Sequence, residues 1–388
     1  MKNTTVLISG ASIAGPALAY WLNRYGCTVT VVERAPALRL GGQAIDFKGA
    51  THRTVLERMG ILDEVVRRQT GGQDQTVIDA NERPLAVIPG EFTGGDLEIR
   101  RGDLSELLYE RTVDDCEYVF GDSITSLTET ADGVHATFDN AAPRTFDLVV
   151  GADGIHSNVR RLAFGPESDY VQFLGHYYAL ADLDVTADAL MYNEPGRMVA
   201  IGGVKAPAFF VFASDELTYD RYDTESQKEV LAAAYQNGGW RIPELMSRLP
   251  QAKELYVDSL SKVKIDRYSQ GRIVLLGDAA YGNTLGGFGT GLAVVGAYVL
   301  AGELLAANGD YRMAFVNYEE KFRGYAKISD QASAGPFLAP STRLKMRMRN
   351  WTFKSRFLLK MMLKMTDNFA TDIELPDYST LLTRQHLG

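Results

Sequence analysis

The chain has 388 residues, 46% hydrophobic and 23% charged, a balance that suits roughly two to three globular domains with a sizeable core. Its net charge of −9 excludes a general nucleic-acid binder, which needs a basic footprint. Two cysteines, Cys27 and Cys116, make neither a disulfide framework nor a metal-ligand spacing, so a reducing cytoplasm is the expected setting.

The opening MKNTTVLISG carries no apolar signal core and no small-residue cleavage site. No run of ~18 apolar residues is found, so no membrane span is expected. TVLIS at 5–9, stopped by Gly10, reads as a buried parallel strand. A helix follows over 14–25 with Pro16 tolerated in its first turn, and TVTVVE at 28–33 is the second strand. Residues 49–68 read as two short helices broken at Gly60. RRGDLSELLYERT at 100–112 reads as a helix capped by Asp103, with Glu106 three residues later as its capping-box partner. Residues 133–154 read as a hairpin partner and then a buried strand ending in glycine.

Residues 171–265 change character. Runs such as YVQFLGHYYALADLDV and AFFVFAS predict an antiparallel sheet, interrupted by a helix near 226–238. RIVLLGDAA at 272–280 returns to a buried strand, and long helices follow from about 290 to 336. No internal repeat or low-complexity tract is present. The expected class is α/β: residues 1–170 and 266–335 form one discontinuous Rossmann-like domain, 171–265 an inserted antiparallel-sheet domain, and 336–388 a C-terminal helical segment.

Three motifs carry chemistry. In Gly10-Ala-Ser12-Ile-Ala-Gly15, Gly10 allows a tight turn, small Ser12 stands where backbone must approach a pyrophosphate, and Gly15 lets helix and strand pack closely. The amides of the helix start then face phosphate, and Glu33, ending strand two, can accept from ribose hydroxyls. In Gly277-Asp278 the acid suits either a ribityl or ribose hydroxyl or the N-cap of the next helix. In DLVVGADGIHSNVRR (147–161), Asp153 suits a phosphate-side or turn amide and Arg160 a dinucleotide or nicotinamide donor, the alternative being a turn and a basic helix start.

Together, in this order and near these separations, the three motifs resemble the group A (aromatic hydroxylase type) flavoprotein monooxygenases over about the whole chain. That resemblance implies a GR2-type FAD-binding domain, a substrate domain inserted in it, and NADPH visiting transiently without a Rossmann domain of its own. RLGGQAID (39–46), IRRGDLSELL (99–108), GDAAY (277–281) and VGAYVLAGEL (295–304) further resemble the tetracycline-inactivating flavin monooxygenases, or tetracycline destructases. This narrower resemblance implies that Arg101 contacts FAD from its helix start. It sets Asp46 near the flavin ring as a catalytic residue, and Arg39, on the loop with Gly42, near flavin and incoming NADPH. Glu33 and Arg34 would hold the adenosine end, and Arg197 would face flavin or substrate as a second catalytic residue. For Arg34, Arg39 and Arg197 the competing reading is a solvated surface charge.

The loop YGNTLGGFGTGLA (281–293) departs from the family pattern: its proline is missing, it is one residue short, and Phe288 stands where glutamine is expected. Gly286, Gly287, Gly289 and Gly291, followed by Leu292, still let backbone lie close to an isoalloxazine. The helix from about Thr290 can aim its positive end at the flavin N1–C2=O edge. The departure bears on oxygen activation more than on FAD binding.

The implied reaction is NADPH-dependent reduction of FAD, then transfer of one atom of molecular oxygen to an electron-rich carbon of a polycyclic phenol, enol or polyketide, tetracyclines included, in a site that excludes water. Wall candidates are Phe173, His176, Tyr177, Tyr178, Phe209, Phe210 and Phe212, of which Phe173, Tyr177, Phe210 and Phe212 are taken as substrate contacts, although alternation turns part of the set away. Competing readings are a non-oxygenating FAD-dependent tailoring enzyme or cyclase, and a flavoprotein that sequesters a drug without turnover. The stretch 343–365 has eight basic and no acidic residues, with Leu344, Met348, Trp351, Leu358, Met362 and Met365 at helical spacing. It reads as a helix bridging the domains rather than one lying on a membrane. A monomer is the default.

Overall fold

The computed structural model describes residues 1–388 except 2, 40, 186, 204–207, 332, 356, 362–372 and 382–388. Met362 and Met365 therefore lie outside the described residues. Short, largely apolar strands lie side by side in a six-stranded sheet, ordered Ser269–Gln270, Ile273–Leu275, Leu148–Gly151, Thr5–Ser9, Thr28–Glu33 and Glu117–Phe120. All pairs are parallel except the first. Val6, Leu7, Ile8, Val149, Val150, Val274 and Leu275 are buried on both sides, as a doubly covered parallel sheet requires. The helix Ala14–Arg24 packs against the helix Gly289–Ala306 over this core.

Gly289–Ala306 corrects one expectation. It is long and apolar enough to cross a membrane, yet 83% of that stretch is buried inside the protein. It is apolar all round because it is the core's central helix. The helical region after it is broken at Asp310, whose side chain caps Tyr311–Ala326 by accepting from the amides of Arg312 and Met313. The capping box expected at 103–106 does not form. The helix begins at Arg101 with no side-chain cap, Asp103 sits inside its first turn, and Glu106 pairs with Arg68 instead.

The second sheet has seven strands, ordered Leu255–Val263, Val171–Ala181, Ala208–Ala213, Arg197–Ile201, Leu190–Glu194, Gln75–Ile78 and Pro84–Ile88. It includes the hairpin 75–88, which the sequence placed in the first domain. Gln75–Ile78 joins by the one parallel pairing of this sheet, to Leu190–Glu194, and a parallel partner distant in sequence leaves no hairpin signature to read.

Each face of this sheet has its own cover. Tyr177, Ala179, Val199, Ile201, Phe210 and Phe212 pack under the helices Thr224–Ala234 and Ile242–Arg248 through Leu231, Tyr235, Ile242 and Leu245. Tyr178, Met191, Met198, Val211 and Leu260 look the other way, toward Leu285, Phe92, Phe337 and Phe353. The C-terminal helix Arg343–Lys354 lies on strand Pro84–Ile88 at this second face, while Tyr378 returns to the first core, its hydroxyl 2.5 Å from Glu303.

Candidate active site

The carboxyl ends of the parallel strands gather the motif residues. Gly10 has φ +109, and a Cβ there would stand 2.4 Å from the Ala152 carbonyl oxygen, so only glycine makes this turn. A Cβ on Gly15 would stand 1.9 Å from the Gly10 oxygen, which locks turn and helix together. The helix that follows has no side-chain cap, and its first amides are free to meet an anion. Beside it, the Arg101 guanidinium donates to Ser12 Oγ at 2.9 Å, and Ser105 Oγ donates to the Ser12 carbonyl. Glu33 accepts from the amides of Ala11 and Ala35 at 3.0 and 2.8 Å. Its carboxylate braces the turn and retains acceptor capacity for a hydroxyl.

A second uncapped helix start faces the same space. Phe288, with φ +61, is the N-cap of Gly289–Ala306 and offers no side-chain hydrogen bond. Gly287 has φ +81, and Gly289 lies against the Asp278 carboxylate. Gly277 abuts Ala14 and Ala293, where a Cβ would come within 3.1 and 3.5 Å, tying this loop to the first turn. The Asp278 side chain is exposed on the space between these elements, although protein surrounds that space. Burial raises its carboxyl above the usual range, against the lowering effect of Arg101. A Cβ on Gly291 would enter the His52 ring, so the helix start is seated on a buried histidine. Gly42 (φ +116) runs beside the Arg101 side chain, and the Arg101 amide donates to Gln43.

Other expected site residues lie elsewhere or act inward. Both oxygens of Asp153 are used by the chain itself, by Ser9 and Ser157 hydroxyls and the amides of Asn158 and Val159, so it organises the turn and the helix Asn158–Ala163. Burial raises its pKa, against those hydrogen bonds. Arg160 is fully buried and donates to the carbonyls of Ala279 and Ile155. It braces the Asp278 helix from behind. Leu292 is buried, with its amide in the first turn of its helix, donating to Phe288. Asp46 is half-buried on the strand Ala44–Phe47 and accepts from the Gly95 amide at 3.0 Å. Arg39 is exposed. Arg34 is exposed and stacks 3.6 Å over the Tyr222 ring.

Arg197 is turned from the site. It shares the helix-covered face with its register partner Phe212, donates to the carbonyls of Ala234 and Gln236, and pairs with Glu194 at 2.5 Å. A cation at the C-terminal end of Thr224–Ala234 is favourable there. Phe173, Tyr177, Phe210 and Phe212 are corrected for the same reason: strand parity puts them on this same face, Phe210 and Phe212 against Tyr235 and Tyr177 beside Leu217 and Tyr219 with Phe173 next to it. The residues of opposite parity, Tyr178 and Phe209, with Met191, Met198 and Val211, face Phe92, Leu285 and Phe337. His176 joins them, packed on Gly335. Alternation in the sequence separates the two sets, but it does not say which set faces the helices.

At the sheet edge, His156 reaches from the loop after Leu148–Gly151 and lies 2.9 Å from Glu167 and 3.0 Å from Asp258. Arg221 closes the group on Glu167, and Tyr256 donates to Asp258 at 2.7 Å. Burial works against charge on His156, but the bonds to Asp258 and Glu167 outweigh it and raise its pKa. Sequence reading missed this group, whose members lie far apart in the chain. Cys27 and Cys116 are buried, which pushes their thiols up to about 12 and about 11. Neither is an accessible nucleophile at neutral pH. Among the described residues no cluster fit to hold a metal occurs.

Two uncapped helix starts, an arginine, and two acids open to hydroxyls fit a flavin dinucleotide. Comparison with known proteins agrees. Residues 3–312 match the family model for the FAD binding domain. A flavin-dependent monooxygenase of Legionella longbeachae is 33% identical over 398 residues, covering 98% of this chain and 99% of the relative. The crystal structure of tetracycline destructase Tet(55) aligns with a TM-score of 0.79 at 34% identity, over 97% of this chain and 100% of that one. That of tetracycline destructase Tet(51) aligns with a TM-score of 0.82 at 28% identity, over 98% and 100%.

Proposed function

The chain belongs to the FAD binding domain family and is an FAD-dependent monooxygenase close to the tetracycline destructases, and from that premise we propose that it consumes NADPH to hydroxylate a flat polycyclic phenol or enol, a tetracycline or a related polyketide. The observation that carries this reading is the pairing of two uncapped helix starts around Arg101 and Asp278 with an apolar sheet face opposite. FAD, when bound, supplies the redox chemistry and the activation of dioxygen.

In this reading the amides following Ser12 and the Arg101 guanidinium hold the diphosphate, which matches charge to helix dipole. Glu33 accepts from the adenosine ribose, and Asp278 from a hydroxyl of the ribityl chain. The amides at Gly289 and Gly291 face the electron-rich edge of the ring system. Gly42, on the loop that also carries Arg39, and Asp46, on the strand that follows, would flank the ring where a nicotinamide donor would approach. Tyr178, Phe209, Met191 and Met198 form the apolar wall, with Phe92 and Phe337 across from them. Such a wall orients a flat ligand by contact and keeps out the water that would uncouple the reaction.

The test is NADPH oxidation by the yellow holoenzyme with tetracyclines and polycyclic phenols, read by product mass under isotopically heavy dioxygen. Oxidation stimulated by a ligand that gains one heavy oxygen atom supports the reading. Stimulated oxidation with a product of another mass change points to a non-oxygenating tailoring enzyme, and tight binding without turnover to a sequestering flavoprotein.

A further inference from the structure

The C-terminal helix Arg343–Lys354 is amphipathic twice over. Its inner face seats the chain: Phe353 is buried against Phe92 and Phe337, with ring centroids 5.1 and 5.9 Å away, and Arg349 reaches the carbonyls of Phe337 and Leu338 and the side chain of Asn193. That face satisfies the helix's need for a partner. At 3.6 residues per turn, Leu344, Met348 and Trp351 fall on the opposite side, roughly half a turn away from Phe353 and Arg349. They are 67%, 61% and 64% exposed, and Phe357, just beyond, is 77% exposed. A soluble monomer gains nothing by setting an apolar stripe on the outer side of a helix already docked by its inner side.

The charges around the stripe say what it meets. Arg343, Arg347 and Lys354 run along one flank and Lys345 along the other, and residues 343–365 contain no acid, in a chain of net charge −9. A second copy of the chain, pairing stripe on stripe, would bring these cationic rows together. Nucleic acid would meet the cations but leave the stripe in water. A surface that is anionic outside and apolar just beneath satisfies both. Tryptophan suits that boundary, with a large apolar ring and one polar N–H, and the arginine and lysine stems can lie along it with their charges in the headgroups.

We propose that this helix docks the enzyme on an anionic lipid surface, with Leu344, Met348, Trp351 and Phe357 entering the headgroup boundary and Arg343, Lys345, Arg347 and Lys354 held by lipid phosphates. The proposal is independent of which ligand the enzyme oxidises.

The test uses the full-length FAD-loaded protein and phosphatidylcholine vesicles with or without phosphatidylglycerol. The expected result is co-sedimentation with the anionic vesicles, weakened by added salt and nearly absent with neutral ones. Trp351 emission should shift to the blue on binding, and the shift should vanish in Trp351→Phe although Trp21 and Trp240 remain. Leu344→Glu combined with Met348→Glu should lower the partition coefficient by ~10-fold or more, with FAD content unchanged. The wild-type comparison of vesicle compositions does not depend on any variant folding. Failure of the wild-type protein to bind anionic vesicles even at low salt would overturn the proposal, as would full binding by the double variant. A dimer seen by light scattering that Met348→Glu separates would also overturn it and assign the stripe to a second copy.

Discussion

In the six-stranded, mainly parallel sheet the groups facing the site are glycines, amides and acids at strand ends, whereas in the seven-stranded sheet they are every second side chain along the strands. The first arrangement is punctual. A glycine at 10 or 15 or an acid at 33 or 278 has its meaning fixed by local backbone geometry, and that geometry reads directly from spacing. The second depends on parity. Shifting the choice by one residue moves the whole set to the other side of the sheet, and only the helices Thr224–Ala234 and Ile242–Arg248 decide which side is wall and which is core.

Substitutions sharpen that contrast. The largest effect is expected for Gly15→Val, because even one Cβ there meets the Gly10 oxygen at 1.9 Å. It should cost about 4 kcal/mol or more and abolish FAD retention, seen as colourless protein with a lowered melting temperature. In the other sheet, Phe210→Ala and Phe209→Ala form a matched pair on adjacent positions of one strand. Phe210 is fully buried under the helices and should lose about 3–4 kcal/mol in denaturant unfolding. Phe209, half-buried at the opposite face, should lose about 1 kcal/mol. Equal losses would break the assignment of faces.

His156 joins the two regions, so its titration reports on their contact. Its folded pKa is raised above the ordinary 6.5, so its contribution is full below that value and fades as pH rises through the folded value. Glu167 runs the other way. Burial would raise it, but His156 and Arg221 hold it down to about 2 from 4.5, so its contribution is full above 4.5 and fades as pH falls. Asp258 is also held low, its bonds to His156 outweighing the effect of burial. The cluster should stabilise most between about pH 4.5 and 6.5. His156→Ala should cost about 2 kcal/mol there and progressively less in alkali. A melting-temperature difference flat across pH would contradict the cluster's role. The smallest effect is expected for Asp103→Asn: with no cap bond to lose, only its helix-dipole interaction goes, about 0.5 kcal/mol.

Much of this was legible in the sequence where a residue acts through its own backbone. The turn at Gly10, the helix start near 289 and the Gly277–Asp278 step were readable because glycine and strand-end acids have few other uses there. Asp153 was legible as a strand-end acid but not in its direction, since the serines that turn it inward, Ser9 and Ser157, belong to two separate segments. Arg197 was misread because a helix end lying over the sheet, at Ala234 and Gln236, takes its guanidinium. The hairpin 75–88 and the His156 group rest on contacts between distant segments, which no local pattern encodes.

The most direct test of the central claim is to titrate a turned-over tetracycline or phenol into wild-type, Phe209→Ala and Phe210→Ala holoenzymes while following the visible spectrum of the bound flavin. The ligand should perturb the flavin in all three, with affinity about tenfold weaker in Phe209→Ala and little changed in folded Phe210→Ala. Weaker binding in Phe210→Ala with Phe209→Ala unaffected would contradict that claim, and so would a protein that stays colourless when supplied with FAD.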